Sequence, residues 1–326
     1  MKLNYLKLAL SALLASAFIL ALGYSVIIGP PLLHRRLESL FPDLFYTREP
    51  WLNMTEYTAE VRWIGYASFI AVTLLFVLGI IIERKGLVMV GTGAFFLPTF
   101  ASFAYTMFFM TGLGFLRILW LPLLDVNPLI LRLGDSVLFP LLIPVYLLLA
   151  VVDPSLFSNL WVTLTLVGLL IFFLGIVTWL YGKMEGREII DFWVYRYSRH
   201  PQYLGFLVFT YGLMIRALVG GIYFEGSSTF PSLPWLISAL VVVCVALWEE
   251  LEMLESGGEA FRSYRDRTPF MLPLPAFISG ILTAPIRRIS SQTFPMNKKH
   301  VAYTFVTYFI VLCLLSFLFW VIVPPT

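Results

Sequence analysis

The sequence predicts an all-α fold, a polytopic transmembrane helical bundle of about eight spans, and three observations support that reading. Hydrophobic residues make up 60% of the 326-residue chain and charged residues only 13%, against roughly 45–50% and about 25% in soluble domains. Several apolar stretches reach the roughly 17–25 residues that carry a helix across about 30 Å of hydrocarbon. Where no water is present to satisfy the backbone, a single run of that length closes its own hydrogen bonds as a helix.

Apolar runs bounded by charge, Pro and Gly place the spans near 5–29, 63–82, 87–110, 136–152, 159–182, 201–223, 234–248 and 301–323. The first follows Lys2 and Lys7, which resemble the basic start of a signal peptide. Its apolar run is too long for one, so an uncleaved span is expected. The region 87–122 is long enough to hold a re-entrant turn, and 136–152, interrupted by Pro140 and Pro144, is expected to be short and irregular. A short cytoplasmic helix beginning at Glu259 and stopped before Pro269 precedes the last span.

Positive residues are retained in the cytoplasm, and their distribution sets the expected orientation. Segments 30–62, 111–135, 183–200 and 249–300 hold 17 lysines and arginines, and the termini with the remaining loops hold 4. Both ends are then expected on the extracytoplasmic side, with 183–200 and 249–300 together on the cytoplasmic face. The acceptor pattern Asn53-Met54-Thr55 falls on the cytoplasmic side and is expected to carry no glycan.

The net charge of +3 is spread over short loops rather than gathered in an arm, which excludes a nucleic-acid partner. Cys244 and Cys313 lie in apolar runs without a Cys-x-x-Cys pattern, and His34, His200 and His300 lack helically spaced carboxylate partners. Neither a disulfide framework nor a metal site is expected.

The polar string Arg199-His200-Pro201-Gln202-Tyr203-Leu204-Gly205 stands at the mouth of the sixth span. Pro201 suits a first helical turn, Arg199 offers a planar fork of donors matched to a carboxylate, and Gly205 allows a ligand or a helix to approach closely. Span seven ends in Trp248-Glu249-Glu250-Leu251-Glu252-Met253-Leu254-Glu255-Ser256-Gly257-Gly258, where the two glycines stop the helix. Four carboxylates there oppose the macrodipole, and Glu249 and Glu250, nearest the apolar boundary, need a cation or a hydroxyl-bearing partner such as a ribose diol.

These two segments resemble the motifs of the isoprenylcysteine carboxyl methyltransferase and phospholipid methyltransferase superfamily of integral membrane enzymes. The pattern Arg-His-Pro-x-Tyr-x-Gly is complete at 199–205, and Glu-Glu followed by spaced aromatics and Arg-x-Pro occupies 249–269. The resemblance covers about residues 160–275. It departs from the family where Gly-Pro-Tyr becomes Trp193-Val194-Tyr195, and where Phe-Gly becomes Gly257-Gly258. It implies a methyltransferase-like core over 159–275, N-terminal spans of unassigned role over 1–158, and a cytoplasmic segment with the last span over 276–326. It further implies S-adenosylmethionine as cofactor, held at the cytoplasmic face by Arg199, His200, Tyr203, Gly205, Glu249 and Glu250. The partner would be a lipophilic methyl acceptor entering from membrane lipid, with Arg267 and Glu250 in catalytic roles. An acceptor carboxylate, as in an isoprenylcysteine, would need no general base and would be oriented by Arg267. A phospholipid amine would need one, from Glu249, Glu250 or His200.

Two other classes compete. A transporter would carry ionisable groups at the midplane, yet Arg216 is the one clear charge within a span, and it falls about 15 residues past Pro201, near the far interface. A catalytically silent membrane scaffold is compatible with the departures at Trp193 and Gly257, but it leaves the boundary charges without a purpose.

Overall fold

A computed structural model describes residues 3–27, 50–82, 84–94, 121–140, 159–219, 232–290 and 295–322, together with Leu32 and Leu119. The described residues are mostly helical, with no strand among them. Among them five helices are long and apolar enough to cross a bilayer: Tyr5–Tyr24, Arg62–Ile81, Leu160–Met184, Ser232–Arg267 and Lys298–Val321. They correspond to the first, second, fifth, seventh and eighth spans read from the sequence. Most of 87–110 and of 136–152 lies outside the described residues. The sixth span is the shorter helix Pro201–Val219.

The chain packs as two compact units. The first comprises Met1–Leu22, Asn159–Gly212 and Val242–Ile310. In it α1 (Tyr5–Ile27) runs antiparallel to the helix Leu160–Met184. Lys7 Nζ lies 2.7 Å from Glu185 Oε1 and 2.9 Å from the Met184 carbonyl, and the Phe18 and Phe172 rings meet edge to face at 5.9 Å. The start of α1 therefore lies at the same end as 183–200. This corrects the expectation that the N-terminus and that segment face opposite sides. Lys7 is held at that end by its ion pair with Glu185.

In the second unit α2 (Pro50–Ile81) doubles back into helical residues 85–94. The two run close enough that a Cβ on Gly79 would meet the Val88 backbone at 2.7 Å. Arg62 and Tyr66 of α2 both bind Asp125 in α3 (Leu121–Val126). A 3-10 turn, Asp135–Leu138, then buries Asp135, which accepts from Ser232 at 2.7 Å, Arg132 at 3.1 Å and Trp320 at 3.3 Å. Ser136 N donates to Ser316 Oγ at 2.9 Å. Segment 111–135 was expected on the cytoplasmic side, and 224–233 and the C-terminus on the other. Asp135 touches residues beside both, so those assignments do not hold together, and Arg132 joins the side of Ser232.

The helices of the first unit fix the site. α4 (Leu160–Met184) is apolar all round and ends in a Schellman turn, with Gly186 at φ 70, Arg187 N donating to Gly182 O and Gly186 N to Lys183 O. α5 (Pro201–Val219) opens on buried Pro201 as its geometry favours. α4 and α5 meet at backbone contact, where a Cβ on Gly168 would collide with the Phe209 backbone and one on Gly205 with that of Phe172. α6 (Ser232–Arg267) is broken at Gly258, whose φ of 51 and ψ of −130 interrupt the helix where the Gly-Gly pair foretold a stop. α7 (Ala276–Ser290) and α8 (Lys298–Ile322) complete the order.

Candidate functional site

The mouth of α5 and the middle of α6 meet in one buried ionic network. The Arg199 and Glu250 side chains are 2% and 3% exposed, so the charges must neutralise one another, because neither has water. Arg199 Nε donates to Glu250 Oε1 at 2.6 Å and Nη2 donates to Oε2 at 3.2 Å, a bidentate fork. His200 Nε2 lies 3.0 Å from Glu250 Oε1. A carboxylate only accepts, so the hydrogen belongs on Nε2. Arg199 Nη1 donates to the Arg265 carbonyl at 2.7 Å and to that of Thr268.

This arrangement gives Arg199 a second task. Its guanidinium, together with its backbone N–H, which donates to Pro269 O at 3.0 Å, ties the end of α6 to the start of α5. Phe270 beyond that tie lies under the guanidinium at 5.7 Å and edge-on to the His200 ring at 5.1 Å. The sequence spacing points to Arg199 as a fork for a ligand carboxylate; here those donors are spent on Glu250 and two carbonyls of the chain itself.

Beside the network opens a cleft. Its empty volume, open mouth included, is about 630 Å³. Arg199, His200, Tyr203 and Glu249 line it, with Trp179, Tyr195, Phe261 and Tyr264 as aromatic wall and Lys183, Glu188, Ile189, Ile190, Gln202 and Met253 completing it. Tyr203 Oη donates to Glu249 Oε1 at 2.7 Å, so Glu249 keeps acceptor capacity for a ligand. Tyr264 Oη donates to the Tyr195 carbonyl at 2.8 Å and holds the 193–196 turn against α6. Burial raises the Tyr195 phenol well above its ordinary range, which keeps it neutral.

The structure thus brings Arg199, His200, Tyr203 and Glu249 to one cleft, and Glu250 directly behind them, facing Arg199 and His200. Two residues expected in the site are placed elsewhere. Gly205 packs against Phe172, so its missing side chain serves the α4–α5 crossing. Arg267 is exposed, and its Nε donates to the Ser263 carbonyl of its own helix at 3.1 Å, so it does not reach the cleft. Lys183, Glu188 and Trp179 line the cleft without having been singled out by their sequence pattern. The helical spacing of Trp179 and Lys183, four residues apart on one face, was the available signal.

No family model matches the chain, nor does any curated protein or solved structure. Geometry alone therefore carries the functional reading. In the 193–196 turn beside the cleft, Trp193 holds φ 50, a conformation favourable to glycine. Its indole compensates by packing on Tyr181 at 5.1 Å and Phe192 at 5.2 Å.

Among the described residues no group of three or more His, Cys, Asp or Glu is arranged to hold a metal ion.

Proposed function

We propose that this chain is an integral membrane methyltransferase that uses S-adenosylmethionine to methylate a lipophilic acceptor. The observation that carries the reading is the convergence on one cleft of two segments about fifty residues apart, Arg199–Tyr203 and Glu249, with an aromatic wall between them. The residues fit the donor. An adenine finds aromatic faces in Trp179, Tyr195, Phe261 and Tyr264, and a ribose diol finds the unspent acceptor capacity of Glu249.

When bound, S-adenosylmethionine would supply a methyl group from its sulfonium to an acceptor oxygen or nitrogen, the sulfur–methyl bond breaking and the donor leaving as a neutral thioether. The chain's own work is positioning and exclusion of water, which together are worth up to about 7–11 kcal/mol in favourable systems. Tyr203 orients Glu249 through their 2.7 Å bond. Glu250 behind the cleft and Arg199 in its wall are positioning residues that fix His200 and the 268–270 turn. For an amine acceptor Glu249 is the available base, since His200 Nε2 is committed to Glu250.

The reading extends to orientation. The end at which α1 starts and α4 finishes carries the basic turn 183–200, which supports placing that end, with the cleft beside it, on the cytoplasmic side.

The test is to supply methyl-labelled donor to membranes with and without the protein and to identify the labelled species. A base-labile label marks an ester and a base-stable headgroup label marks N-methylation. Absence of any protein-dependent label across native membrane lipids and prenylated substrates counts against the reading.

A further inference from the structure

The commitment of Arg199 leaves the cleft with an electrostatic vacancy that other residues fill. Lys183 and Glu188 both line the cleft and are exposed to it. Among the described residues, neither side chain is engaged in an ion pair or a hydrogen bond, with the other or with any third group. They flank the Schellman turn that closes α4, whose bonds from Gly186 to Lys183 and from Arg187 to Gly182 fix the backbone between them. Lys183 stands one turn beyond Trp179 on the same face, so the cation belongs to the cleft wall.

Two opposite charges that share a cleft without pairing are suited to a ligand that carries both signs. A zwitterion satisfies each in turn and brings no net charge to a site already holding Glu249. A simple anion would instead meet Glu188 and Glu249, and a simple cation would leave Lys183 unmatched. We infer that Lys183 and Glu188 recognise the α-carboxylate and α-ammonium of an amino-acid group at one end of the ligand. This rests on the donor reading above, since S-adenosylmethionine ends in such a group, and it moves carboxylate recognition from Arg199 to Lys183.

The experiment compares two nucleosides that share adenosine and a thioether sulfur but differ in the amino acid, S-adenosylhomocysteine and 5′-methylthioadenosine. Each is titrated calorimetrically into the purified full chain, into Lys183→Met and into Glu188→Gln, with thermal melts confirming that the variants are folded. Charged hydrogen bonds of this kind give about a ten-fold change in affinity. Each variant is expected to weaken S-adenosylhomocysteine about ten-fold and to leave 5′-methylthioadenosine within about two-fold. Equal weakening of both ligands, or none of the first, overturns the assignment while the donor reading stands. Wild-type protein that binds neither ligand removes the donor reading, and the assignment falls with it.

Discussion

Removing Glu250 tests how the site is built. In Glu250→Ala, Arg199 loses the acceptors of Nε and Nη2, and His200 Nε2 loses its 3.0 Å partner. The Nη1 bonds to Arg265 and Thr268 remain, so the guanidinium stays in place with its charge uncompensated. With both side chains at most 3% exposed, no solvent screening softens the loss. Breaking one side of such a pair costs about 3–5 kcal/mol, whereas replacing both sides by apolar groups of similar volume costs far less. The assay is a double-mutant cycle of Arg199→Met, Glu250→Met and the pair, read by unfolding in detergent micelles. Each single variant should be destabilised by about 3–5 kcal/mol and the double by clearly less than their sum. Additive effects, or single variants within about 0.5 kcal/mol of wild type, refute the locked network. So would loss of donor binding in a Glu250→Ala protein of unchanged stability, which would make Glu250 a direct ligand contact.

Other expectations follow from the same structure. Trp193→Gly should be less destabilising than Trp193→Ala by about 1 kcal/mol, because only glycine adopts φ 50 without penalty; equal melting temperatures would contradict this. Gly205→Leu should collapse the α4–α5 crossing and lower stability by about 1–3 kcal/mol or more, measured by the same melts, since its Cβ would overlap the Phe172 backbone. Tyr203→Phe, which removes the 2.7 Å bond to Glu249, should weaken donor affinity by about ten-fold in calorimetry with little change in stability. Single cysteines at Asn4 and Glu185 should react with a membrane-impermeant thiol reagent from the same side, as the contact of Lys7 with Glu185 requires.

What the sequence made legible was the part governed by local rules. Pro201 marks the start of α5, Gly258 breaks α6, and the two motifs at 199–205 and 249–250 mark the polar residues Arg199, His200, Glu249 and Glu250 that the fold brings together. The rest depends on partners distant in the chain. Arg199 reads as a ligand fork because nothing local reveals that the carbonyls of Arg265 and Thr268 will take its donors. Lys183 and Glu188 look like any charges in a turn at a membrane surface, and only the fold makes them cleft wall. Gly205 offered a ligand or a helix as neighbour, and Phe172 decided for the helix. The orientation count failed at Lys7 and Arg132 for a related reason. A segment total weighs every charge equally, while Lys7 is placed by Glu185 and Arg132 by the buried Asp135.

Equilibrium binding of S-adenosylhomocysteine to the purified full chain tests the central claim most directly. Saturable binding at one site per chain is expected, abolished or much weakened by Glu249→Ala with the fold intact. Heat signals indistinguishable from dilution at millimolar nucleoside, on protein with a cooperative melt, would contradict it.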